Sequence, residues 1–190
     1  MTFATHLSHA FVGSDPRLRR QVVYWAITVG LYAVCLLLLV FESRVGVADP
    51  DVVSMLVTIL VAGTLLFYVP VRMSGHLGLS PSLLAMAQAV FAIGCIVAAY
   101  AAIGPARAST LAILVVVLVF CAFALTPGQS YAMSGFAVIL LGAAMVTMNH
   151  LEPDRYPANQ ELVNFTLSAS MLAAVAFLTG RLSLLRDKLK

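Results

Sequence analysis

Long apolar stretches separated by short polar connections set the pattern of the chain. Six uncharged runs, Gln21–Phe41, Val52–Val71, Ser82–Ile103, Ser109–Leu125, Tyr131–Asn149 and Leu162–Gly180, stand out along it. Each has the length of roughly 17–25 residues that a helix needs to cross about 30 Å of hydrocarbon. None contains Asp, Glu, Lys or Arg; the 11 basic and 8 acidic residues all sit in tails and connections, as the cost of a charge at the bilayer centre requires. Short connections between such runs predict an all-α fold, a polytopic antiparallel bundle of six transmembrane helices. The chain divides into a segment 1–20, a helical membrane domain 21–180 and a tail 181–190.

Composition agrees with this pattern. Of the 190 residues, 62% are hydrophobic and 10% charged, against roughly 45–50% and about 25% in ordinary soluble domains. A soluble fold of this size has too little interior to hide so much apolar surface. The net charge of +3 is scattered rather than gathered into a basic stripe, so nucleic acid is excluded as a partner and membrane lipid is the expected one.

Charge distribution gives direction. Eight of the Lys and Arg residues fall on the side of both termini, with Arg17, Arg19, Arg20 and Arg72 among them, and only Arg44, Arg107 and Arg155 on the other. The positive-inside rule then places both termini of this multi-pass chain in the cytoplasm. Six of the eight acids, Glu42, Asp49, Asp51, Glu152, Asp154 and Glu161, lie on the outer side. The first span has a longer apolar run than a signal-peptide core and begins 20 residues into the chain, which reads as an uncleaved signal anchor. Before it, Phe3, Leu7, Ala10 and Phe11 recur at helical spacing and are compatible with a short interfacial helix. Ser14-Asp15-Pro16 then reads as a helix start, with Pro16 at the first helical position.

The sixth span ends in no Gly or Pro stop. It runs through Gly180 into a basic tail in which Leu178, Leu182, Leu185 and Leu189 are spaced four, three and four apart. That is a short heptad seam, predicting a helix that leaves the membrane as the start of a cytoplasmic coiled-coil stalk in a homodimer. A frayed basic end at the headgroups is the alternative. A seam ending at the chain's last residues is expected to continue into a cytoplasmic output domain.

Most chemistries lack their parts. An intramembrane serine protease needs a GxSG-like turn and an intramembrane His, whereas Ser134 sits in Ala-Met-Ser-Gly and no span holds an interior His. His6 and His9 lack the carboxylate partner of a zinc hydrolase. No intramembrane Lys is present for retinal, no matched His pair for haem, and no ionisable group in a span for proton or sodium coupling. Cys35, Cys95 and Cys121 show no CxxC spacing and read as small packing residues. No catalytic residue, metal site or cofactor is expected within these 190 residues.

What remains is the polar minority. Near the inner side lie Tyr24, Trp25 and Thr28 on the first span and Gln88 on the third. An amide in hydrocarbon must find a partner, which is either another helix or a ligand, and helix pairing is the commoner case. Near the outer side, Tyr100, Arg107, Asn149, His150, Arg155, Tyr156, Glu161 and Asn164 fall around one mouth. Most of them read as an interface belt of aromatics and snorkelling charges. Asn149, His150 and Asn164 are ligand-binding candidates because the connection between the last two spans brings them together, and His150 is the titratable one. Small residues on the third span, among them Ala85, Ala89, Ala92, Gly94, Ala98, Ala99 and Ala102, predict close helix contact or a dimer face. Pro70 marks a potential kink, and Pro127-Gly128 reads as a turn.

Four short motifs carry a resemblance. They are Pro81-Ser82-Leu83, Gly104-Pro105-Ala106-Arg107, Arg155-Tyr156-Pro157 followed by Glu161, and Gly180-Arg181-Leu182-Ser183. From about Arg17 to Lys190 the chain resembles the six-helix N-terminal membrane regions that precede GGDEF domains in bacterial diguanylate cyclases. It differs at Ser80, where an acidic residue is common, and at Ala108, where glycine is common. The resemblance implies a sensory or regulatory input domain of a dimeric cyclic di-GMP-producing enzyme, with signal transduction through the sixth helix. No nucleotide-binding or catalytic residue carries over. A small apolar or amphipathic ligand suits a bundle lined by alkyl groups and a few amides. Two other readings stand beside this one: a stand-alone transporter of a small neutral solute, and a passive dimerising membrane anchor.

Overall fold

The computed structural model describes residues 16–77, 80–104 and 107–188. Among them are six helices and no strand: α1 (Pro16–Arg44), α2 (Pro50–Leu77), α3 (Pro81–Ile103), α4 (Ala108–Ala124), α5 (Pro127–Leu151) and α6 (Ala158–Lys188). The interfacial segment expected at Phe3–Phe11 lies outside the described residues.

Every apolar run becomes a helix, and the helices extend past the runs because the flanking residues favour starts. Pro16, Pro50, Pro81 and Pro127 each open one, a position where the missing N–H is not needed and φ is already helical. Ser80 caps α3 by accepting from the Leu83 amide at 3.2 Å. Thr126 and Gln129 form a reciprocal capping box on α5. Pro127-Gly128 is therefore the first turn of α5, not the connection expected from its turn-forming residues: the Thr126 cap outweighs the weak helix preference of Gly128.

Five helices are long and apolar enough to cross a membrane, over Trp25–Arg44, Pro50–Val71, Ser82–Ile103, Pro127–Leu151 and Ala158–Leu178. α4 is the short one, 17 residues, about 25 Å at 1.5 Å per residue. Its ends explain the length. Gly104 and Arg107 hold the chain before it, and Leu125 and Thr126 turn extended after it.

α3 is central, packing against α2, α4 and α5 and more sparingly against α1, while α4 and α5 both pack on α6. One face of α3 carries Ala89, Ile93, Val97 and Tyr100 into the main core with Leu114 and Leu118 of α4, Ala137 and Leu141 of α5, and Leu172 of α6. Its other face carries Ala99 and Ile103 against Leu39, Val53 and Leu56 of α1 and α2. Burial on two sides is why α3 reads as apolar all round. Ala89, Ala92 and Ala99 are the small residues that bring backbones together; Ala98 is exposed. Large aliphatic side chains cover the outside: Leu37, Leu66 and Ile139 are each more than 70% exposed, a surface suited to lipid rather than water.

Candidate functional site

The polar residues collect at one end of the bundle, where α3 finishes and α4 and α6 begin. Tyr100 sits in the last turn of α3, Arg107 immediately precedes α4, and Glu161 lies in the first turn of α6. Arg107 Nη2 lies 2.6 Å from Glu161 Oε1, with the two side chains 2% and 6% exposed. The Tyr100 hydroxyl donates to Glu161 Oε2 at 2.5 Å. Arg107 Nη1 donates to the Gly104 carbonyl at 2.8 Å and to the Arg155 carbonyl at 3.2 Å. Its guanidinium also lies 4.7 Å from the centre of the Tyr156 ring. One side chain thereby ties the α3–α4 turn, the α5–α6 connection and the α6 N-terminus together.

The connection between α5 and α6 closes over this pair. The Tyr156 hydroxyl donates to the Ala101 carbonyl at 2.6 Å, Arg155 Nη2 to the Ala102 carbonyl at 3.2 Å, and Asn149 Nδ2 to the Tyr156 carbonyl at 2.6 Å. The last carbonyls of α3, which have no intrahelical partner, are satisfied by side chains from another part of the chain. Burial holds the Tyr156 phenol above the ordinary tyrosine value, with Arg155 opposing, so it stays protonated and donates. Gly104, at φ +64°, makes the turn possible; a Cβ there would run into the Arg155 guanidinium.

The belt expected at this end is therefore a built cap. Tyr100, Arg107, Tyr156 and Glu161 are buried because the opposite charges and hydroxyls find one another inside the bundle end. The ionic contact is close but poorly aligned. Arg107 Nε and Nη2 and Glu161 Oε1 have no well-directed hydrogen bond, so attraction between the charges, not bond geometry, holds the pair.

Of the candidates at this end, Asn149 is engaged with the Tyr156 carbonyl, and half-buried Asn164 lies beside the Tyr100 hydroxyl. His150 is exposed and takes no part in the cap's hydrogen bonds. Asn149 and Glu161 also edge a groove of about 340 Å³ between α5 and α6, otherwise lined by apolar side chains including Met145 and Phe165.

At the opposite end, Trp25 and Thr28 of α1 share a hollow with Gln88 of α3 and with Tyr32, Thr64 and Phe67. The Trp25 ring packs on Tyr68 of α2 at 5.1 Å. The Tyr24 side chain lies outside what the structure describes, as do those of Leu182, Leu185 and Leu189; Leu178 is exposed. Sequence reasoning missed Tyr32, a buried residue one turn after Thr28 on the same face. That four-residue spacing was its only signal. Among the described residues no group of His, Cys, Asp or Glu is arranged to hold a metal ion. No known protein family, curated protein or solved structure matches the chain.

Proposed function

We propose that the chain is the membrane-embedded input domain of a dimeric signalling enzyme, of the kind that precedes a diguanylate cyclase. The observation that carries this reading is α6. It runs for 31 residues from Ala158 to Lys188, with its first turn fastened into the cap through Glu161 and its course continuing past Gly180 into the basic tail. A stiff helix tied at one end to a polar latch and free of breaks along its length is suited to carry a shift or rotation out of the bundle. The residues of the four motifs support the resemblance by falling on joints. Ser82 Oγ donates to Gln129 Oε1 at 2.5 Å, linking the starts of α3 and α5. Gly104, Arg107, Arg155, Tyr156 and Glu161 build the cap, and Gly180 lies against the Tyr131 hydroxyl, where a Cβ would collide. Ser80 fills a helix-capping role that an acidic side chain performs equally well.

In this reading all six helices cross the inner membrane, neighbours in sequence run antiparallel, both termini are cytoplasmic and the cap faces outward. Meeting ends support it: the end of α3 joins the start of α6, and the start of α3 joins the start of α5. A cysteine at Ser43 reacts with an impermeant thiol reagent from outside the cell, and one at Ser74 does not. The functional test is to insert one to seven residues after Gly180 in the native gene and measure cellular cyclic di-GMP. The expected output rises and falls with the heptad register. Cyclic di-GMP that is the same in every insertion and in a gene deletion overturns the proposal, and uptake of a neutral solute by vesicles holding the protein would put transport in its place.

A further inference from the structure

An apolar crevice runs along the inside of α1, where that helix meets α3 only sparingly. Two hollows compose it, one on either side of the packed Tyr32, Ala92 and Val117 side chains, which line both. On α1 the stripe Thr28, Tyr32, Cys35, Leu39 and Glu42, spaced four, three, four and three, lines the two hollows, with Ile27, Leu31 and Leu38 beside it. From Thr28 to Glu42 the helix rises about 21 Å, roughly two-thirds of a hydrocarbon core of about 30 Å. The lining is mostly apolar, with Glu42 at one end and Gln88 toward the other.

Two polar groups in this lining have no hydrogen-bond partner among the described residues. Tyr32 is 8% exposed and its hydroxyl makes no hydrogen bond among the described residues; its ionisable neighbours are the Cys35, Cys95 and Cys121 thiols. The Gln88 amide, on the wall of the second hollow, is likewise unbonded. A hydroxyl and an amide left unpaired in apolar surroundings are costly unless something else supplies the missing bond. No Lys, Arg or His lines the crevice, so an anionic head would find no counter-charge there.

We infer that the crevice between α1 and the α3–α4 pair binds an uncharged single-chain amphiphile, its alkyl chain lying along the α1 stripe and its hydroxyl or carbonyl head bonded to Tyr32 and Gln88. Two hollows set in line along one helix stripe suit an extended chain better than a compact solute. The inference rests on the reading of the chain as a membrane domain and names the ligand class of the input site. Because α1 is the helix least attached to the bundle, an occupant that bridges α1 to α3 and α4 biases how α1 packs, which is what a stimulus must do to be transmitted.

The test uses the full chain in phosphatidylethanolamine and phosphatidylglycerol nanodiscs, with hexadecanol carrying a mid-chain diazirine as probe and adducts mapped by mass spectrometry. Adducts are expected on the α1 stripe and the facing residues of α3 and α4. Unlabelled hexadecanol should compete and hexadecane should not. Tyr32→Phe is expected to lower this labelling about two- to tenfold, the worth of one hydrogen bond. Gln88→Leu provides the second variant should Tyr32→Phe not assemble. Adducts spread over lipid-facing positions such as Leu37 and Leu66, uncompeted and unchanged in both variants, overturn the inference and mean that bulk acyl chains alone fill the space. Absence of adducts in the crevice overturns it too. Labelling needs no enzymatic output, so its failure is separate from a failure of the cyclic di-GMP experiment.

Discussion

The cap and the crevice treat polar groups in opposite ways. In the cap, one arginine, one glutamate and two tyrosines are buried together, and each reaches a charge, a carbonyl or a ring. In the crevice, Tyr32 and Gln88 line one hollow and make no side-chain hydrogen bond among the described residues. The cap belongs to α3–α6, which share the main core; the crevice lies where the α1–α2 hairpin leans on it. Polar groups fixed at both ends of their interactions define one arrangement, whereas unpaired ones leave an arrangement open to whatever completes them. The cap fastens the start of α6 to the end of α3 and the start of α4.

The contrast breaks most severely at the ion pair. Arg107→Met or Glu161→Leu leaves a buried charge without its partner and should lower stability by about 3–5 kcal/mol in reversible unfolding, while the double variant should recover much of that loss. Equal losses in the single and double variants would mean the pair has no mutual dependence. Gly104→Ala should cost about 1–3 kcal/mol, because it forces a left-handed residue and displaces Arg155. Packing provides the next test. Ala137→Leu, in the filled core, should cost about 1–3 kcal/mol by overpacking, whereas Ala92→Leu, beside the crevice, should cost well under that. Matching losses would show the crevice closed in the membrane.

The smallest effect is at high pH. The folded Tyr156 phenol titrates above the ordinary value of about 10. Its contribution is thus fully present below about pH 10 and is lost as pH rises through the folded value, since only the unfolded chain ionises easily there. Tyr156→Phe should cost about 1 kcal/mol near neutrality through the lost bond to Ala101, and should flatten the alkaline limb of the stability curve.

The helices were legible in the sequence because an apolar run of membrane length has no other stable conformation. Their starts were legible in part: Pro16 and Pro81 read as openings, but Pro127 did not, since its Thr126 cap and Gln129 partner carry no hydropathy signal. The polar residues at the cap were visible as a set, yet a sequence cannot say whether Arg107 snorkels outward or turns inward. That depends on Glu161 arriving from 54 positions further along the chain to meet it. Tyr32 went unnoticed for the same reason, because an aromatic residue in an apolar helix is ordinary until its hydroxyl is found without a partner.

By itself, the sequence determined that this chain is helical, apolar on its outside and suited to a membrane, because these properties follow from residue chemistry and local spacing. Only the tertiary structure decided which polar groups are satisfied and which are left waiting. Hydrogen bonds and ion pairs between helices depend on the distances at which separate elements meet, and no local pattern encodes them.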